Sequence, residues 1–428
     1  MDKHCTIGAV AAVAACIGMS IAGGVASAAT FNVGGATLPQ RLYEEEFATP
    51  PNDQHTWNYG EVGSRHGRAA FLLNDSTRLS LPLGGKVHFG TSETPMTATE
   101  YSSYTSVFGL GNLGASTGHG RLIQIPLAVT PVMIYAKSLS QAVTQSSFAS
   151  LTKSQLCGVF SGAINRWSQL NPAFPNRPFK VIVRLEPSGP TSLLTRHLQA
   201  VCTSGETGGM TFNGNEQFRM NFPNGELPPN FVEVLKDQGV SDALNMGIPP
   251  DALPEAMTYL SPDPAYVPIG SAYALRLRNR NNSMDYDGWS TTAVMLGIGS
   301  ALSAPSGPLV TDPTVAGYTS ATNPGYPPNW VKEISDPVQG YPIVGTTNLI
   351  LSQCYADARL PGQLTLTETA LRMFVNDHYA NTMRILSHAM VPLPSAYMDA
   401  IRQTFFTGVR WNGQLAMGGA YCASVVGR

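Results

Sequence analysis

Two strongly apolar runs stand out from a chain that is otherwise rich in glycine, proline and polar residues. They are Ile123–Tyr135 (IQIPLAVTPVMIY) and Tyr341–Ser352 (YPIVGTTNLILS). Continuous apolar character over this length predicts strands that are buried on both faces. We expect the first run to cross from one domain to another and the second to return. By contrast, Leu275–Asp287 is rich in arginine and asparagine, which predicts a solvated loop.

Four shorter strand-like stretches end at a hydroxyl or charged residue, and three of them lead into a helical pattern. The residues at these four strand ends are Thr37, Ser64, Glu93, and Arg184 followed by Ser188. Ligands of open α/β sheets collect at the carboxyl ends of the strands, so the repetition predicts one shared anion site.

The stretch from Phe179 to Gln199 (FKVIVRLEPSGPTSLLTRHLQ) carries the strongest part of this prediction. A strand ends in Arg184, and Ser188 is a suitable N-cap for the helix that follows. Free amides at the helix start and a forked guanidinium together favour an anion. An ordinary strand-to-helix turn with a surface arginine is the alternative. We also expect Thr37 with Gln40 to form a capping box and Ser64 to cap its helix.

Composition supports a two-domain globular protein and argues against nucleic acid as a partner. The chain has 428 residues, of which 43% are hydrophobic and 13% charged, and its formal net charge is −2. This length suffices for two sizeable cores, and the charge gives no basic surface for phosphate backbones.

The N-terminus has the features of an export signal. Lys3 and His4 precede an apolar run from about Ile7 to Val25, and Ala26–Ala28 resembles a cleavage site, so we expect residues 1–28 to be removed. Val13–Cys16 resembles a lipoprotein cleavage box, but apolar rather than polar residues follow Cys16, which favours the first interpretation. The mature protein is therefore expected to be periplasmic or secreted.

Four cysteines remain after the signal, namely Cys157, Cys202, Cys354 and Cys422. Their even number and the lack of a CxxC motif fit two disulfides in an oxidising compartment better than a metal site. Three pairings are possible, and the simplest closes the shorter loops.

Motif searches give no catalytic or cofactor signature. The sequence has no HExxH, P-loop or GxSxG motif, and its histidines are scattered. Gly109–Gly114 matches GxGxxG, but neither a buried strand before it nor a periodic helix after it supports a dinucleotide site. We expect no cofactor and no metal.

Six segments in order resemble the DING proteins, which belong to the superfamily of periplasmic phosphate-binding proteins that feed ABC transporters. They are GGATLPQRLY, VGS, HFGTSET followed by MTATE, QLCGVFSGAINRW, VIVRLEPSGPTSLLTRHLQAVC and YPIVGTTNLILSQCYADA. The resemblance runs from about Ala29 to the C-terminus and is weakest in 204–335.

The resemblance implies an α/β type II periplasmic-binding-protein fold, with two lobes joined by two crossing hinge strands and a ligand cleft between them. The expected lobes are 29–128 plus 345–428 for lobe 1 and 129–344 for lobe 2. The family's disulfides correspond to Cys157–Cys202 and Cys354–Cys422.

The resemblance also implies a ligand set, because the family holds dehydrated phosphate with hydroxyls, helix amides, one arginine and one carboxylate. The matching positions are Thr37, Leu38, Ser64, Arg184, Ser188 and Gly189. Thr37 and Leu38 would give a hydroxyl and an amide, and Ser64 a second hydroxyl. Arg184 would be the bidentate cation, and Ser188 and Gly189 the cradle at the helix end.

Two departures from the family pattern concern the ligand directly. Glu93 replaces the family's aspartate, which accepts the proton of bound hydrogen phosphate and so rejects fully ionised sulfate. Pro190 replaces a threonine and removes both an amide donor and a hydroxyl. Thr191 and Arg65 are the candidates to compensate, and a phosphate ester is an alternative ligand.

Three functions are compatible with these residues. The first is an exported solute-binding protein, acting as a monomer, that holds phosphate, a related oxyanion or a phosphate ester; its partner would be an ABC permease or a secretion system. The second is a secreted alkaline phosphatase of the DING type, by family analogy alone. The third is an extracellular protein that keeps the fold and has lost the site, as Pro190 suggests.

Overall fold

The computed structural model describes residues 28–81, 85–107, 118–246, 255–267, 272–357 and 363–428. The expected signal segment up to Ser27 and the Gly109–Gly114 segment with its GxGxxG match lie outside the described residues. None of the helices within the described ranges has the length and apolar character that crossing a bilayer requires.

Thirteen strands are formed within the described ranges. They are β1 Thr30–Gly35, β2 Thr56–Glu61, β3 Phe89–Ser92, β4 Leu122–Pro131, β5 Met133–Lys137, β6 Ser150–Leu151, β7 Lys180–Arg184, β8 Phe231–Val234, β9 Ala256–Leu260, β10 Ala272–Arg278, β11 Asp285–Tyr286, β12 Val344–Ser352 and β13 Val391–Pro392.

The α-helices of the described ranges connect these strands or cover their sheets. They are α1 Gln40–Phe47, α2 Ser64–Leu73, α3 Ala98–Val107, α4 Lys153–Ser161, α5 Trp167–Leu170, α6 Gly189–Val201, α7 Lys236–Met246, α8 Thr291–Ile298, α9 Leu366–Ala380, α10 Thr382–Ser387 and α11 Ser395–Ile401. Capping boxes open α4 at Thr152 and α9 at Thr365.

The strands form two mixed sheets. The first has the order β13-β4-β12-β3-β1-β2, and the second β11-β10-β5-β9-β7-β8 with β6 paired to β10. In both sheets the strands that lead to the predicted site are parallel: β1 pairs with β2 and β3, and β7 with β8 and β9. Their carboxyl ends therefore share one edge of each sheet. We call the two sheets with their helices lobe 1 and lobe 2.

The two long apolar runs connect the lobes. β4 ends at Pro131 in the first sheet and β5 begins at Met133 in the second, while β12 re-enters the first sheet at Val344. The crossings touch, because the Val132 amide donates to the Ile343 carbonyl (3.0 Å) and the Tyr341 hydroxyl to the Val132 carbonyl (2.9 Å). The fold is thus the α/β type II arrangement, and the residue limits expected for the lobes stay a prediction.

Two disulfides tie down the segments that flank the site. Cys157 on α4 bonds Cys202 after α6, and Cys354 after β12 bonds Cys422 near the C-terminus. The first pins the far end of the helix whose start lies at the candidate site. Both pairs close the shorter loops, as the family resemblance implies.

Candidate functional site

The predicted ligand residues come together between the lobes and are buried. Those of lobe 1 follow β1, β2 and β3, and those of lobe 2 follow β7. The set is Thr37, Leu38, Ser64, Glu93, Arg184, Ser188, Gly189 and Thr191. Thr37, Ser64, Glu93 and Arg184 are each at most 2% exposed. The lobes therefore lie closed against each other at this site.

Two glycines permit this close approach. A Cβ atom on Gly189 would lie 1.7 Å from Glu93 Oε2, and one on Gly63 would lie 2.2 Å from the Pro187 carbonyl oxygen. Gly63 also has a φ of +89°, which favours glycine. Any larger residue at either position would hold the lobes apart.

Glu93 reaches across to Ser64, the first residue of α2. The Ser64 hydroxyl donates to Glu93 Oε2, and the Glu93 amide donates to Ser64 Oγ (3.2 Å). The other carboxylate oxygen, Oε1, is buried and has no hydrogen-bond partner. Burial raises the pKa of Glu93 to about 7. The glutamate side chain is thus long enough for its carboxylate, a proton acceptor, to contact the Ser64 hydroxyl.

Arg184 is held by two carboxylates that were not among the predicted site residues. Its Nη1 lies 2.9 Å from Asp237 Oδ1, and its Nε donates to Glu186 Oε1 (2.6 Å). Its Nη2 lies 3.4 Å from Thr37 Oγ1 in the other lobe. Burial alone lowers the pKa of Arg184, but Asp237 and Glu186 raise it above its ordinary value. The guanidinium is therefore a fixed, permanently charged group.

Helix α6 begins as the sequence predicts. Ser188 is its N-cap and accepts from the Thr191 amide (3.3 Å), and Pro190 lies in its first turn. The Thr191 hydroxyl contacts both Ser188 Oγ (2.7 Å) and the Tyr259 hydroxyl (2.6 Å). Thr191 thus orders the cap. Arg65, the second candidate to compensate for Pro190, is exposed.

Two of the predicted helix caps are wrong. α1 has Pro39 as its N-cap without a side-chain hydrogen bond, and α2 has Gly63. Thr37 and Ser64 instead turn their hydroxyls inward, to Arg184 and Glu93. Because these partners are charged and buried, hydrogen bonds to them stabilise the fold more than a helix cap whose role water could take over.

Ion pairs join the lobes around the site. Arg68, one turn after Ser64 on α2, lies 2.8 Å from Glu216 of lobe 2 and 3.0 Å from Glu100 of lobe 1. Its spacing of four residues from Ser64 was a signal that sequence reasoning could have used. Lys236 and Glu61 form a second pair across the cleft (2.9 Å).

A cavity of about 250 Å³ adjoins the buried groups. Thr37 and Glu186, which both contact Arg184, line it together with His66, Arg78, Lys236 and Glu61. Two cations, one imidazole and two carboxylates therefore line the space next to the candidate anion site. Among the described residues, no three His, Cys, Asp or Glu side chains meet in a way that could hold a metal.

The free energy of unfolding is expected to fall as the pH rises from about 4.5 to about 7, because folded Glu93 holds its proton more tightly than the unfolded chain does. A shift from 4.5 to about 7 corresponds to roughly 3 kcal/mol. Glu93→Gln stays neutral and should lose this component. Urea unfolding at pH 5 and pH 8 measures it for both proteins, and equal pH dependence in the two would contradict the assignment.

Comparison with known proteins places this geometry in a family. A family profile described as a PBP superfamily domain matches residues 22–294. Alkaline phosphatase L of Pseudomonas aeruginosa (strain UCBPP-PA14) is 35% identical over 400 residues, covering 89% of each chain. The chain belongs to the PBP superfamily.

Solved structures narrow the assignment. The phosphate-binding protein from Stenotrophomonas maltophilia has a TM-score of 0.72 and 28% identity, over 94% of this chain and 99% of that one. PfluDING, a high-affinity periplasmic phosphate-binding protein solved with phosphate bound, has a TM-score of 0.69 and 30% identity, over 93% and 99%. Within the superfamily, this chain is a DING protein.

Proposed function

We propose that this protein is an exported solute-binding protein that closes its two lobes on phosphate. The observation that carries the proposal is the convergence of buried hydrogen-bonding groups between the lobes, with Glu93 Oε1 left without a partner among them. A buried polar atom without a partner costs free energy unless something satisfies it, and a bound hydrogen phosphate would do so.

Each group has a role that its chemistry supports. Arg184 supplies the fixed positive charge, Ser188 caps α6, and the start of that helix at Gly189 supplies an amide and the positive end of the helix dipole. Thr37 and Ser64 supply hydroxyls, Leu38 an amide, and Thr191 orders the cap. Glu93 accepts the proton that hydrogen phosphate carries and sulfate lacks.

A periplasmic relative supports export. PfluDING is described as periplasmic, and the sequence features of residues 1–28 agree with export. The partner that fits a closed phosphate carrier is an ABC permease, which would open the lobes and take the ion. A secretion system is the alternative partner for a protein that leaves the cell.

Calorimetric titration of the mature protein with phosphate at neutral pH, alone and in excess sulfate, tests the proposal. We expect saturable binding that sulfate does not displace. Absence of binding at millimolar phosphate would overturn it and leave a protein that keeps the fold without the ligand, as Pro190 suggests.

Hydrolysis of phosphate monoesters is the second candidate, and the cavity beside Thr37 and Glu186 favours it. A monoester whose phosphoryl group lies against Arg184 would need space for its organic part, and about 250 Å³ adjoins that position. The relative from Pseudomonas aeruginosa carries the name alkaline phosphatase. Release of nitrophenol from 4-nitrophenyl phosphate measures this activity.

A further inference from the structure

The contact between Ser64 and Glu93 has the form of a nucleophile and its base. The serine hydroxyl donates to one carboxylate oxygen while its own oxygen accepts from the Glu93 amide (3.2 Å). This pair of hydrogen bonds fixes the serine rotamer and directs its proton onto the carboxylate. A hydroxyl oxygen has two lone pairs, so one remains available to attack.

The surroundings make Glu93 a stronger base than an exposed carboxylate. It is 2% exposed, and its second oxygen has no hydrogen bond that would stabilise the charged form. Burial raises its pKa to about 7. A general base is most effective when its pKa lies near the working pH, because it is then both deprotonated and basic.

The same site holds groups that stabilise charge on a phosphoryl oxygen. Arg184 is buried and permanently charged, and it lies 3.4 Å from Thr37 on the far side of the cleft. The start of α6 meets Glu93 at Gly189, where no Cβ atom would fit. Fixed donors of this kind stabilise the transition state without having to reorganise during the reaction.

We propose that Ser64 is the nucleophile and Glu93 its general base in the hydrolysis of phosphate monoesters. This inference rests on the proposed function, since the phosphoryl group must first bind at Arg184. Ser64 Oγ forms a bond to phosphorus, the bond from phosphorus to the ester oxygen breaks, and Glu93 takes the serine proton. The alkoxide leaves toward the cavity beside Thr37 and takes a proton from water there.

The second half of the reaction returns the enzyme to its starting state. A water molecule from the same cavity attacks the phosphoserine in line with Ser64. The bond from phosphorus to Ser64 Oγ breaks, and Glu93 returns its proton to that oxygen. The proton of the attacking water neutralises the hydroxide left by the first step. The net reaction is monoester plus water to alcohol plus hydrogen phosphate, with no redox change.

The replacement of aspartate by glutamate is what makes this pair possible. An aspartate at position 93 would be one methylene shorter and would withdraw its carboxylate from Ser64. Glu93→Asp therefore separates the charge of the carboxylate from its contact with Ser64. The shorter side chain keeps the negative charge but no longer extends to the serine hydroxyl. The family pattern has aspartate at this position, and in this structure the longer Glu93 side chain contacts Ser64.

The test combines turnover, binding and trapping on the mature protein. Turnover of 4-nitrophenyl phosphate is measured for wild type, Ser64→Ala, Glu93→Asp and Glu93→Gln, with exposed Ser146→Ala and Glu226→Gln as matched controls. We expect Ser64→Ala and Glu93→Gln to lower kcat by about 100-fold or more. Glu93→Asp should also lower kcat. The controls should keep the wild-type rate.

Acid quenching during turnover followed by peptide mass spectrometry should find phosphoserine at Ser64 in wild type and not in Ser64→Ala. A structural role alone would not produce this adduct. The kcat/KM of wild type should rise with pH through about 7.

Turnover that survives Ser64→Ala, or turnover without phosphoserine at Ser64, overturns the inference. If wild type binds phosphate by calorimetry but shows no turnover, the assignment of Ser64 as nucleophile is overturned and the proposed binding function stands. Absence of both overturns the proposed function as well.

Discussion

Replacing Pro190 with threonine is expected to tighten phosphate binding by about two to four orders of magnitude. Pro190 lies in the first turn of α6, directly after the Gly189 that meets Glu93. Threonine would add an amide donor and a hydroxyl at the position where DING proteins carry one. Two hydrogen bonds to a charged ligand, at about 1.5–3 kcal/mol each, give this range.

The matched control is Pro190→Ala, which adds the amide and not the hydroxyl. It should give roughly half of the gain in binding free energy. Proline is well tolerated in a first helical turn, and so are these replacements, so α6 should stay intact in both variants. Calorimetry with phosphate measures all three proteins. Equal affinities would mean that the ligand does not use the amides at the start of α6.

The sequence predicted that the candidate site residues come together because they lie at the ends of strands. Thr37, Ser64, Glu93 and Arg184 each lie at or shortly after the end of a strand, and parallel pairing brings the ends of β1, β2 and β3 together. The same argument holds for β7 in lobe 2. Convergence at one edge follows from chain direction, so local patterns suffice to predict it.

The partners of Arg184 could not be predicted in the same way. Asp237 lies in the first turn of α7, more than fifty residues later in the chain, and only the pairing of β8 with β7 places it beside the guanidinium. Glu186 is only two residues from Arg184 in the sequence, but whether its side chain points at the guanidinium depends on the conformation of the turn between them. No regular spacing of residues along the sequence marks a long-range ion pair of this kind.

The solvated loop predicted over Leu275–Asp287 is wrong, because its first residues belong to strand β10. Leu275 and Leu277 are buried while Arg276 and Arg278 are exposed. This alternation is the pattern of a strand with one covered face. Overall polarity concealed it, because long arginine side chains occupy every second position.

Replacing Arg184 with methionine is expected to abolish measurable phosphate binding and to lower the free energy of unfolding by about 3–5 kcal/mol. Asp237 and Glu186 both contact the guanidinium, and Asp237 is 1% exposed. Removing one partner of a buried ion pair leaves a charge without compensation, and that penalty exceeds what the pair itself contributes. Urea unfolding at neutral pH measures the loss, and calorimetry measures binding.

Two further variants separate charge balance from ligand recognition. Exposed Arg65→Met, close to Ser64 on α2, removes the same net charge and should leave stability within about 0.5 kcal/mol. Adding Asp237→Asn to Arg184→Met removes one uncompensated charge, so it should restore part of the stability and none of the binding. Wild-type stability in Arg184→Met would show that the buried carboxylates are neutral without the arginine. Recovery of phosphate binding in the double variant would show that the helix amides alone hold the ligand.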